Sequence, residues 1–123
     1  MSDEGRFQVA VGAVIRNSSS DKVLLIHRAA EQHDGGIWEF PIGRLKQFES
    51  LKDGLMREVA EETGITDLKI GRPTRAFAYM RGNHSAANEV RGIVFEAETV
   101  QQEVILSDTT TTNGYQSIKP LNW

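Results

Sequence analysis

The chain has 123 residues, 39% of them apolar, no cysteine and a formal net charge of −3, which suits one domain over 1–123 built on a single core. Without cysteine there are no disulfides or thiolate metal sites, so a metal would fall to carboxylates, carbonyl oxygens, imidazoles or water, a donor set that favours hard cations. The acidic balance offers no broad basic field for a nucleic-acid backbone, so no nucleic acid is expected as partner; the sequence shows no signal peptide or membrane span, so no membrane partner is expected and a cytoplasmic location is the default.

In chain order, Val9, Val11, Ala13 and Ile15 alternate with Ala10, Gly12 and Val14 at the period of a strand, and Asn17 to Asp21 form a polar turn. Residues 22–28 read as the returning strand, whose run Val23-Leu24-Leu25-Ile26 suits burial on both faces. Residues 37–40 form a short strand stopped by Pro41, and a loop containing Gly43 follows. Ser50 is a good N-cap, Leu51, Leu55, Met56 and Val59 recur at helical spacing, and Gly64 suits a left-handed C-terminal cap, which predicts a helix over about 51–63. Beyond it, 67–71 and 75–81 read as two strands, Gly82 to Ser85 as a turn, and 89–99 as a strand. The Thr-rich stretch 108–113 reads as a polar tail, followed by a short strand at 115–118. Strands on both sides of one central helix predict an α/β (α+β) fold with a mixed sheet, whose topology the pattern leaves open.

On that helix Glu58, Glu61 and Glu62 stand at i, i+3 and i+4, so three carboxylates share one flank. Like charges so placed destabilise a helix by roughly 0.2–0.5 kcal/mol per pair, and a divalent cation reverses the sign. Arg57 can orient a neighbouring acid, with Glu49 and Glu61 the candidates. Taken alone, an acidic triplet is more often a solvated face than a metal site.

The triplet lies, however, in a longer pattern: Gly43, five residues, Glu49, seven residues, then Arg57-Glu58-Val59-Ala60-Glu61-Glu62-Thr63-Gly64-Ile65. This stretch resembles the Nudix box at every defined position, and the likeness extends more loosely from about Phe7 to about Ala97. The resemblance implies a mixed β-sheet sandwiched between helices, with the box forming a loop, helix and loop that cradle metal. It also implies that Glu58, Glu61 and Glu62 ligate Mg²⁺, with Mn²⁺ as the alternative, that Glu49 supports them, and that a backbone carbonyl at Ile42 or Gly43 completes the coordination. The implied activity is hydrolysis of a pyrophosphate bond in a nucleoside diphosphate linked to another group, by in-line attack of a metal-activated water.

Around the box, Arg28 reads either as a contact to substrate phosphate or as an ordinary surface arginine at a strand end. Trp38, Phe77 and Tyr79 read either as stacking partners for a base or as core, Trp38 especially as core. His84 is assigned no role. The chain departs from the family pattern in having Ile42 and Phe48 where glycines are usual, which restricts the loop and puts the carbonyl ligand in question. The acid that many relatives use as catalytic base has Asp108 and Glu103 as its nearest counterparts, with a box glutamate as the alternative. Relatives usually carry a further helix after the region of Trp123; a chain in which it is short or missing would expose an apolar face, for which a homodimer is the expected cover. The competing reading is a catalytically silent module of the same fold that binds a nucleotide or a protein. The candidate substrates are nucleoside triphosphates, ADP-ribose-like compounds and dinucleoside polyphosphates.

Overall fold

The computed structural model describes residues 3–19, 22–28, 38–101 and 110–116, with side chains described over 3–19, 22–26 and 39–101. Its strands are β1 (Gln8–Asn17), β2 (Lys22–Arg28), β3 (Trp38–Glu39), β4 (Ile42–Arg44), β5 (Lys69–Met80), β6 (Glu89–Thr99) and β7 (Thr110–Gln116), with one helix, α1 (Leu51–Thr63), and a 3₁₀ turn at Ala86–Asn88. The strands form one mixed sheet in the order β3-β2-β1-β6-β5, with β4 added beside β1 and β7 beside β2. β1 and β6 run parallel in unbroken register from Gln8 opposite Val90 to Asn17 opposite Thr99; the remaining pairings are antiparallel. The mixed α+β class thus agrees with the sequence. The expectation of a short or missing C-terminal helix falls on residues outside those described.

Alternation along β1 sends Val11, Ala13 and Ile15 to one face, where they pack with Leu55 and Val59 of α1 and with Phe95 and Ala97 of β6. Leu55 and Val59 are fully buried, each contributing about 1.5–3 kcal/mol relative to exposure, and this stripe fixes which flank of α1 turns outward. The helix ends follow from local chemistry: the Ser50 side chain accepts a hydrogen bond from Asp53 N, and Gly64 takes a left-handed φ of 75° while its N–H donates to Ala60 O. β2 is buried at Val23, Leu24 and Ile26, as its continuous apolar run suggests.

Three expectations need correction. The Gly43 loop begins as strand β4, paired through Gly12–Ile42, Val11–Gly43 and Ala10–Arg44. A side chain on Gly12 would meet Pro41 O at 3.1 Å and Ile42 Cβ at 3.3 Å, so the bare Gly12 leaves room for the Ile42 that stands where a glycine was expected. Residues 67–71 and 75–81 belong to one strand, β5, whose register shifts around Pro73; an edge strand tolerates a proline by bulging. The Thr-rich stretch is no polar tail from Thr110 onward, because β-branched threonines enter β7 beside β2. Among the described residues no helix is long and apolar enough to cross a membrane.

Candidate active site

The loop after β4 and the outward flank of α1 meet at Arg57. Its Nε donates to Glu49 Oε2 at 2.7 Å and its Nη2 to Glu49 Oε1 at 2.9 Å, a bidentate pair. Nη1 is shared between Glu58 Oε1 at 2.9 Å and Glu61 Oε2 at 3.2 Å, and Nη2 also donates to Arg44 O at 3.0 Å. Arg57 therefore reaches both acids that its spacing suggested, and Glu58 as well. Glu49 also accepts from Lys46 N at 2.9 Å, closing the loop onto its own carboxylate. The hydrogen bond from Arg57, and then that from Lys46 N, hold the Glu49 carboxyl down to about 2 from an ordinary 4.5. The Glu49 bond in turn holds the guanidinium above its usual range, against the opposing effect of burial.

Glu58 turns toward β4, where its carboxylate occupies the space that a side chain on Gly43 would fill. A glycine is needed here because the acid approaches the backbone closely. Gly54, inside the helix, has the same explanation: a methyl there would meet Leu45 Cδ2 and lie 3.0 Å from Glu49 Oε1. The sequence carried that signal, since an interior helical glycine costs about 1 kcal/mol against alanine and so marks a close approach. Glu62 is half-buried, with Oε2 shielded from solvent. Among the described residues no three acids or histidines are gathered around one ion position; Nη1 of Arg57 bridges Glu58 and Glu61 instead.

The arrangement nonetheless fits a hard divalent cation. Its donors are carboxylate oxygens beside a strand backbone. Glu49, Glu58 and Glu61 bring three negative charges to the single guanidinium of Arg57, leaving two in excess.

Beside Glu58 opens a cleft of about 610 Å³, lined also by Phe7, Arg44, Lys46 and Phe48. Arg44 Nη1 and Arg81 Nη1 both donate to the neutral Gln8 Oε1, at 3.0 and 3.4 Å. Sequence reasoning passed over Arg44 and Lys46, whose signal was basic residues inside the box loop. Phe48 takes φ 66°, the conformation that the usual glycine supplies without strain, at roughly 1 kcal/mol for an L-residue.

Of the other candidates, Arg28 closes β2 opposite Thr110 and Trp38 opens β3 opposite His27, but their side chains fall outside those described, as do Asp108 and Glu103. Tyr79, 42% exposed, stacks on Phe77 at 5.9 Å between ring centroids. Tyr79 stands in β5 opposite Val90, and neither ring lines the cleft beside Glu58.

The fold and this loop–helix arrangement define a class, and comparison with known proteins names it. The model of the NUDIX domain matches residues 6–120, and the chain belongs to the Nudix family. It is 35% identical over 65 residues to an 8-oxo-dGTP diphosphatase of Proteus vulgaris, a match covering 53% of this chain and 56% of that protein. It is 40% identical over 55 residues to a CTP pyrophosphohydrolase of Escherichia coli (strain K12), covering 45% and 39%. The alignments thus span about half, or less, of these relatives' length. A crystal structure of a MutT protein from Methanosarcina mazei Go1 superimposes with a TM-score of 0.68 at 34% identity, covering 88% of this chain and 75% of that one.

Proposed function

We propose that this chain hydrolyses a pyrophosphate bond in a nucleoside diphosphate linked to another moiety, using Mg²⁺, or Mn²⁺ in its place, held by Glu58, Glu61, Glu62 and the Gly43 carbonyl. The observation that carries the reading is the Arg57 hub: a guanidinium clamped twice by Glu49 and extended to Glu58 and Glu61, with Glu58 set against Gly43. The names of the relatives, an 8-oxo-dGTP diphosphatase and a CTP pyrophosphohydrolase, support the reaction class and differ in base.

Bound there, the cation supplies neutralisation of phosphate charge and acidification of a water. The chain's own groups do the rest. Glu49 fixes Arg57, whose Nη1 orients Glu58 and Glu61 and yields one of them on loading, while the Glu49 clamp keeps the guanidinium in place. Arg44 and Lys46, on the wall of the same cleft, face the phosphates and offset charge that would repel an attacking oxygen.

The test is release of phosphorylated products from a panel of nucleoside triphosphates, ADP-ribose and dinucleoside polyphosphates, with Mg²⁺ and Mn²⁺. Metal-dependent cleavage of at least one compound, reduced by orders of magnitude in E61Q with the fold retained, is expected. Binding without cleavage would support the silent nucleotide-binding module instead.

A further inference from the structure

Phe48 carries two unfavourable features at once. Its backbone is left-handed, with φ 66°, and its ring is 98% exposed, so no packing offsets the strain. The residue sits next to Glu49 in the box loop and is among those lining the cleft that also holds Glu58, Arg44 and Lys46. The cleft thus combines an acid, two cations and an aromatic surface, which matches the metal, phosphates and base of a nucleotide. Phe7, the other exposed aromatic of the cleft, already has the Arg91 guanidinium 4.5 Å from its ring centroid, whereas the Phe48 ring is open to solvent.

We infer that Phe48 is a specificity-determining residue whose ring forms a platform for the planar base of the nucleotide, an inference that rests on the proposed function and adds to it a contact made by the loop itself. Stacking on an aromatic ring tolerates different bases, so the platform raises affinity for nucleotides over base-free phosphates without choosing strongly among purines and pyrimidines.

The experiment compares wild type with F48G, F48N and F48W, using ATP, GTP and CTP as probes and inorganic tripolyphosphate as base-free competitor, all with Mg²⁺. Glycine and asparagine both accept the left-handed backbone, so they keep the loop path while removing the ring. F48G and F48N should weaken nucleotide binding about 5- to 100-fold, the range that loss of one base stack implies, and raise KM more than they lower kcat. Their affinity for tripolyphosphate should stay at the wild-type value. F48W should bind nucleotides at least as tightly as wild type, and the melting temperature of F48G should not fall. Wild-type nucleotide affinity in F48G and F48N, or an equal loss for nucleotide and tripolyphosphate, would overturn the inference while wild-type turnover left the proposed function standing. A wild-type chain that neither binds nor cleaves these triphosphates, ADP-ribose or dinucleoside polyphosphates would overturn both.

Discussion

Replacing Gly54 with alanine tests whether packing inside α1 sets the geometry of the acids. At an unconstrained interior helical position this change stabilises by about 1 kcal/mol through propensity alone. Here the new methyl meets Leu45 Cδ2 and comes within 3.0 Å of Glu49 Oε1 and 3.3 Å of Glu49 Cδ. Leu45 can rotate aside. Glu49 cannot, because Lys46 N at 2.9 Å and two Arg57 donors at 2.7 and 2.9 Å hold it. Overpacking of this kind costs about 1–3 kcal/mol, so the net effect is a loss between about zero and 2 kcal/mol instead of a gain, or up to roughly 8 °C in melting temperature for a domain of this size. Urea unfolding followed by circular dichroism measures it. Turnover should fall several-fold in parallel, since a shifted Glu49 releases Arg57. A G54A protein stabilised by the full propensity term, with unchanged turnover, would refute the packing argument.

Three further outcomes follow from the same geometry. R57K keeps the charge but loses the fork that binds Glu49 twice and reaches Glu58 and Glu61, so metal affinity or kcat/KM should drop about 10- to 100-fold; a variant within twofold of wild type would show that the hub is dispensable. G43A places a methyl on the Glu58 carboxylate, and should lower activity more than it lowers the melting temperature; loss of the fold alone, with activity per folded molecule intact, contradicts this. In acid, Glu49 and Asp67 both have folded pKa values below their unfolded ones. Asp67 is held down by the Thr99 hydroxyl and then by Val100 N, Glu49 by Arg57 and then by Lys46 N. Their stabilisation is complete above the unfolded values of about 4.5 and 3.8 and disappears as pH falls through the folded ones, near 2 for Glu49. D67N should therefore flatten the decline in unfolding free energy below about pH 4, and an unchanged slope would remove Asp67 from the account.

How much the sequence disclosed depended on whether neighbours in the chain or in space decide a feature. α1 was legible at both ends because Ser50 and Gly64 act on the adjacent turn. The Arg57–Glu49 pair was legible as a candidate, since eight residues of loop and helix return the two side chains to one place. The strand at Ile42–Arg44 was not, because three residues with a proline before them become a strand only when β1 offers Gly12 opposite Ile42. The single strand β5 was divided by Pro73, whose effect depends on lying at the sheet edge. Phe48 was seen as a departure from glycine, but only the structure shows that it keeps the left-handed backbone and turns its ring to solvent. Arg44 and Lys46 come to line one cleft with Glu58 only because β4 and the loop after it place them there.

The central claim is that the outward flank of α1 exists to hold a divalent cation against a pyrophosphate. Titration of Mn²⁺ into the protein, with free ion counted by electron paramagnetic resonance, tests it most directly. Wild type should take up Mn²⁺ saturably, with affinity reduced at least tenfold in E58Q and in E61Q and lost when Glu58, Glu61 and Glu62 are all changed to glutamine. Equal uptake by the triple variant and by wild type would contradict it.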